Sequence, residues 1–262
     1  MAVPSSPVVK AFTILRRLAE RGEPVGVQQL ADETGLNVST VHRLLQLMAQ
    51  DGMVAYDAEA RVYGIGVEGI RFATQVLGSG SLTDRVRPII AELAAQLGET
   101  CAFTLYEPKT FTKVMAVVER GPHPLGYDFA VGTRDGIHAG ASGKPILAFL
   151  PDAEIERFLR KPLPRLTEHT LVDADQLRRQ IRLIRKRGYA TSRSERVQGA
   201  ATGIGAPVFG PKGEVVGSVV VTIPSFRWRN DRLDRTAATV MHYARRVSGL
   251  LDPRLRRQAG GG

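Results

Sequence analysis

Between positions 37 and 43 the chain sets out Asn37, Ser39, Thr40, His42 and Arg43 around two apolar residues, Val38 and Val41, after the glycine turn Thr34-Gly35-Leu36. An arginine fork matches the two major-groove acceptors of guanine. Serine and threonine hydroxyls donate to phosphate oxygens. A second group is His138-Ala139-Gly140-Ala141-Ser142-Gly143-Lys144. Where such a loop runs into a helix, unpaired N–H groups and the positive end of the helix dipole attract a carboxylate. Pro145 fits the first turn of that helix. The loop is not a phosphate-binding P-loop: its first glycine is missing, and Pro145 stands where Ser or Thr would follow Lys144. Catalytic groupings are lacking elsewhere. Cys101 has no basic or helix-terminal context to activate it. No Gly-x-Ser-x-Gly or His-Glu-x-x-His occurs, and His123, His138, His169 and His242 have no ligand spacing. No catalytic residue, metal site or cofactor is therefore expected. An enzyme acting on a small organic acid is the competing reading.

The elements that must carry these groups follow from apolar spacing. Val8, Phe12, Leu15 and Leu18 recur at helical intervals up to Arg21-Gly22. A short helix bearing Val27, Leu30 and Ala31 stops at Gly35, and a third runs from Val38 to Gln50 with Val41, Leu44, Leu45 and Met48 inward. Alternation in Met53–Tyr56 and Arg61–Gly64 predicts a hairpin, with Arg61 as its candidate DNA contact. Three short helices and a hairpin make a winged helix-turn-helix, whose third helix can enter a major groove. A linker helix follows through Val67, Ile70, Ala73 and Val76. Beyond it come a longer helix to Leu97, in which Pro88 stands either at the first turn or at a kink, and strands at 100–106 and 112–118. The loop and helix at 138–150, helices at 152–160 and 173–187, strands at 189–192, 204–208 and 215–222 and a closing helix at 230–250 complete an α+β pattern.

Length and composition agree with this. A chain of 262 residues accommodates two domains. A single cysteine excludes a disulfide framework and suits a cytoplasmic location. The apolar run at 8–19 is interrupted by Lys10, Arg16 and Arg17, which argues against a signal peptide or membrane anchor. The net charge of +10 is not an argument for DNA. Residues 1–80 carry seven Lys/Arg against eight Asp/Glu, and the excess lies in the remainder, as in Arg178–Arg187. Leu177, Ile181 and Ile184 mark a buried stripe there, so those cations read as a solvent face.

The sequence resembles the IclR family of transcription regulators from Val9 to about Leu250. The carrying blocks are Leu36-x-x-Ser39-Thr40-Val41-His42-Arg43-Leu44-Leu45, the stretch His138–Ala148, and Gly188-Tyr189-Ala190-x-Ser192-x-x-Glu195-x-x-x-Gly199 followed by Ile204-x-Ala206-Pro207-Val208. Val38 departs from the pattern, since many members carry a basic residue there. The resemblance implies a winged helix-turn-helix over 1–66, a linker helix over 67–81, a GAF-like effector-binding domain over 82–252 and a disordered tail over 253–262. It implies double-stranded operator DNA with palindromic sites, a homodimer or dimer of dimers, and a small-molecule effector, expected to be a small or aromatic carboxylate. Carried over by position, the effector lining is Ala141, Ser142, Gly143, Ser192, Ala200, Thr202, Ile204, Val220 and Thr222. Several members have an acidic residue near the position of Ser192, and serine suits an anionic ligand better. Glu195 either braces the pocket or is solvated.

Overall fold

The structure, a computed structural model, describes residues 6–78, 81–123, 125–196 and 201–251. It divides into two compact units, residues 1–81 and 82–262. The first holds helices α1 (Pro7–Arg21), α2 (Val27–Thr34) and α3 (Val38–Gln50), strands β1 (Val54–Asp57) and β2 (Val62–Ile65), and helix α4 (Val67–Gly78). Gly22 and Gly35 end α1 and α2 at φ 71° and 67°, a conformation glycine adopts without a Cβ penalty. Ile14, Leu18, Leu30, Val41, Leu45, Val54 and Tyr63 make a shared core. Glu33 accepts from Arg17 Nε at 2.7 Å and from Arg21 at 2.5 Å, tying α2 to α1. Val25 and Tyr63 exchange two backbone bonds of 2.9 Å, an isolated bridge that ties the segment before α2 to the two-stranded hairpin.

Helix α4 starts flush against the turn that follows α3. Gly66 N donates to Met53 O at 2.9 Å, and Glu68 N to Gly52 O at 3.1 Å. A Cβ on Gly66 would lie 2.2 Å from Gly52 O, and one on Gly69 2.8 Å from Met53 O. Only glycine permits this approach at both positions.

The second unit is α+β, as expected. It comprises α5 (Leu82–Leu97), β3 (Thr100–Glu107), β4 (Thr112–Glu119), β5 (Arg134–Gly136), α6 (Lys144–Ala148), α7 (Asp152–Leu159), α8 (Ala174–Arg187), β6 (Ala190–Arg193), β7 (Ala201–Phe209), β8 (Val215–Pro224), a 3-10 turn (Asn230–Arg232) and α9 (Leu233–Leu251). The strands form one antiparallel sheet in the order β5-β4-β3-β8-β7-β6. Helices α5 and α9 cover one face through Ile90, Leu93, Phe103, Val219, Val221, Val240 and Val247. On the opposite face Ala102, Met115 and Val220 pack with Ala141, beside a separate cluster of Ile137, Ile146, Phe158 and Ile184. Pro88 lies inside α5, where it removes one helical hydrogen bond. Strand β5 has no apolar residue to signal it, which is why periodicity missed it. Along α8 Arg179, Arg182, Arg185 and Lys186 are exposed, as expected, but Arg187 is half-buried and donates to Tyr189 O at 2.6 Å and Thr191 Oγ1 at 3.2 Å; Arg178 pairs with Glu156.

Candidate functional site

In the first unit the inward stripe of α3 leaves the opposite face to solvent. Asn37, Ser39, His42 and Arg43 are exposed and Thr40 is half-buried. Asn37 takes the cap position, with extended backbone, but its side chain makes no capping hydrogen bond. The amide is thus unspent. Arg61 sits on the hairpin at φ 54°, exposed, just after a turn in which Asp57 Oδ1 accepts from Glu59 N and Ala60 N at 2.9 and 3.0 Å. Five of the six candidate DNA contacts are therefore exposed, and Thr40 is half-buried. Val38 is 42% exposed on the same helix, a solvent position that contributes no charge.

In the second unit the sheet face away from α5 and α9 carries a cleft of about 450 Å³, its mouth included. Met115 and Val220 form its floor, Tyr127 and Phe129 one wall, and Ala141, Ser142, Ser192 and Arg196 the other. The rings of Tyr127 and Phe129 are stacked with centroids 6.1 Å apart, and the Arg196 guanidinium lies 6.0 Å from the Phe129 centroid.

Small residues let the 138–143 loop lie directly on the sheet. A Cβ on Gly205 would meet Ala141 O at 2.0 Å, and one on Gly203 would come within 2.9 Å of Ala141 Cβ. Ser218 Oγ donates to Ser142 O at 2.6 Å and sits 2.8 Å from Thr104 Oγ1, anchoring the loop to β3 and β8. The loop's N–H groups are largely used within the protein. Gly140 N donates to Glu195 Oε2 and Ala141 N to Ser192 Oγ, each at 3.0 Å, while Gly143 N and Lys144 N turn back to Gly140 O. The anion held by this loop is the protein's own Glu195, which braces the site and is not solvated.

Glu195 also accepts from the buried Lys144 Nζ at 2.5 Å, and Lys144 donates a second bond to Thr191 O at 2.7 Å. Burial pulls the Lys144 amine below the ordinary lysine range, opposed by the Glu195 charge. Ser194, before Glu195, has φ 55°, a strained conformation for serine. Hydroxyls of Thr167 and Thr170 hold it in place, donating to Ser194 O at 2.8 Å and Glu195 O at 2.7 Å. Beside this pair, Asp135 accepts from fully buried Lys113 at 3.2 Å and from Arg196.

Burial, and then the nearby Arg196 charge, lower the Lys113 amine to about 8 from its ordinary 10.5. Between those values the unfolded chain binds more protons than the folded one, so stability rises with pH. We expect Lys113 to contribute stability to the second unit that grows as pH is raised from about 8 to 10.5, a gain that the Cys101 thiol, pushed up by burial, opposes above its ordinary value of 9. Denaturant melts should show the gain reduced in Lys113→Met. An unchanged pH slope in that variant would reject the assignment.

Of the effector positions expected from sequence, the cleft brings together Ala141, Ser142, Ser192, Val220 and Thr222. Ala200 lies outside the described residues, as does the 253–262 tail. Three positions lie elsewhere. Ile204 is fully buried in the α5/α9 core, and Thr202 pairs with Ile223 of that same core face. Ala201 and Gly203 face the cleft instead, one residue out of phase with the expectation. Gly143 packs on backbone, where a Cβ would lie 2.7 Å from Ile137 O. Sequence reasoning missed Met115, Tyr127, Phe129 and Arg196. Only Arg196 had a cue, standing next to Glu195 in a block already singled out.

Comparisons with known proteins bear on both units. The IclR helix-turn-helix domain family matches residues 7–58, and the bacterial transcriptional regulator IclR C-terminal family matches residues 74–249. The chain is 30% identical to the HTH-type transcriptional regulator BhcR of Paracoccus denitrificans, over 86% of this chain and 80% of that protein. It is 28% identical to the transcriptional repressor IclR of Escherichia coli, over 92% and 88% of the two chains. Among solved structures, the IclR regulator from Alicyclobacillus acidocaldarius has TM-score 0.84 at 20% identity, covering 93% of this chain and 97% of that one. An IclR homologue from Microbacterium hydrocarbonoxydans complexed with 4-hydroxybenzoate has TM-score 0.73 at 21% identity, covering 92% and 98%. Among the described residues no helix is long and apolar enough to cross a membrane. The matched proteins are transcriptional regulators, and two family matches in the order of the two units leave one reading: the chain belongs to the IclR family of transcription regulators, with a helix-turn-helix for binding DNA.

Proposed function

We propose that the effector is a small monocarboxylate carrying an aromatic ring, held in the cleft of the second unit. The carrying observation is Arg196. Its guanidinium pairs with Asp135 on one side, while its buried Nε has no partner among the described residues and stands at the cleft wall. Lys113, Lys144 and Arg196 set three cations against Asp135 and Glu195, with the partly buried Arg187 close enough to act on Lys144, so the surroundings of the cleft are net positive, as a carboxylate requires. Ser192 Oγ accepts from Ala141 N, leaving its proton to donate to the ligand. Tyr127 and Phe129 supply flat apolar walls, and the 4-hydroxybenzoate held by the Microbacterium homologue is of this class.

In this reading residues 1–66 grip the operator through Asn37, Ser39, Thr40, His42, Arg43 and Arg61. Residues 67–81 link them to a sensor over 82–252, the protein acts in the cytoplasm, and it performs no catalytic step. Apolar side chains left exposed on α1 (Val8, Val9, Phe12) and α4 (Val67, Ile70, Phe72) support self-association as a homodimer or dimer of dimers. A two-fold assembly reads inverted half-sites with major-groove centres about 34–36 Å, or a multiple, apart.

Two measurements test the reading. Calorimetry with 4-hydroxybenzoate should give saturable binding that falls at least about tenfold in Arg196→Leu; equal affinity in the variant rejects the anchor. In gel-shift assays Arg43→Ala should weaken operator binding by about 1–3 kcal/mol with the fold intact. Unchanged affinity and footprint would remove Arg43 from the interface.

A further inference from the structure

A second and larger cleft lies in the same unit, where the C-terminal end of α5 meets the start of α9. It encloses about 990 Å³, mouth included, and its lining is dominated by guanidinium groups. Arg227 is neutralised by Glu99 through bonds of 2.8 and 2.7 Å, and Arg229 is weakly matched to Asp231 at 3.4 Å. The side chains of Arg232 and Arg235 are exposed and have no hydrogen bond or ion pair among the described residues. The cleft thus carries two uncompensated positive charges. Arg232, Arg235, Thr236 and Thr239 recur at three- and four-residue spacing, so they share one helical face, and Asp234 lies off it. The N-terminal end of α9, a 19-residue helix, adds the positive pole of its dipole. Trp228 lines the same cleft, its ring fixed by a 2.8 Å bond from Nε1 to Asn230 Oδ1.

We propose that this cleft is a second ligand site, taking a small phosphorylated molecule with its phosphate between Arg232 and Arg235 and its organic part against the Trp228 indole. A phosphate dianion matches the two free charges, and planar guanidinium forks grip its oxygens in pairs. The first cleft is lined by Met115, Tyr127, Phe129 and Val220 and this one by four arginines, so the two clefts select different ligands. The proposal stands independently of the effector assignment.

Trp228 is the chain's only tryptophan and gives the test its readout. Full-length protein is titrated with inorganic phosphate while Trp228 fluorescence is followed, with sodium chloride at matched ionic strength as reference. Saturable change is expected with phosphate and not with chloride. Arg232→Gln/Arg235→Gln should weaken it at least about tenfold, whereas Arg179→Gln/Arg182→Gln, which removes equal charge from α8, should leave it unchanged. Circular dichroism and melting confirm folding of each variant, and Arg235→Gln alone serves should the double variant be unstable. No saturable change, an equal response to chloride, or an equal loss in the α8 variant overturns the site. A duplex DNA fragment that moves the Trp228 signal in an Arg232/Arg235-dependent way, where phosphate does not, assigns the cleft to a phosphodiester backbone and also overturns it.

Discussion

Glu195→Ala is expected to destabilise the second unit by about 3–5 kcal/mol, because it leaves Lys144 charged in the interior without its counter-ion. Lys144 is 2% exposed and Glu195 8%, so water cannot take over the lost contact. The substitution also orphans Gly140 N, which donates to the other carboxylate oxygen. Burying an unpaired amide adds to the loss. Lys144→Met combined with Glu195→Gln should recover most of the deficit, since no charge is then buried alone and the glutamine oxygen can still accept from Gly140 N. Urea unfolding followed through Trp228, which lies in the second unit, measures both. A loss below about 1 kcal/mol in Glu195→Ala would mean that the pair contributes no more than a surface contact.

Gly205→Val should cost about 3 kcal/mol or more and abolish the effector response. Added carbon would overlap Ala141 O at 2.0 Å, with Val219 O 3.3 Å away on the other side. Both neighbours are backbone, so no side chain can swing aside and the strain sits at the upper end of overpacking costs. The loop over 138–143 must lift from β7, taking the cleft wall with it. Operator binding without effector should be retained, because the helix-turn-helix belongs to the other unit. Wild-type stability together with a wild-type effector response would show that the loop does not need its close seat on the strand.

How much of this was legible beforehand differed by element. Helix α3 is legible from Val38 to Gln50, because Val41, Leu44 and Leu45 repeat at helical spacing and Gly35 and Asp51-Gly52 punctuate both ends. The 138–143 loop shows in its small residues, but its partner Glu195 does not. An anion site was expected where Glu195 already sits, since nothing in the spacing of two segments about 55 residues apart says that they meet. On β7 the phase was lost. Ala201-Thr202-Gly203-Ile204-Gly205-Ala206 is buried on both faces, so polarity gives no alternation to read. Tyr127 and Phe129 reach the cleft from an irregular stretch between β4 and β5, where no periodicity applies.

The glycine seat of α4 has a practical consequence for building hybrid regulators. Gly66 and Gly69 weld the start of that helix to the wing's own backbone, through contacts no other residue type allows. A junction placed at the end of the hairpin would therefore graft a foreign helix onto a surface shaped for two missing side chains, and the transplanted reading head would lose its footing. Splicing after residue 78 keeps the seat whole. Fusions of residues 1–78 to an unrelated sensor should fold and retain operator preference, whereas fusions cut at residue 65 should not.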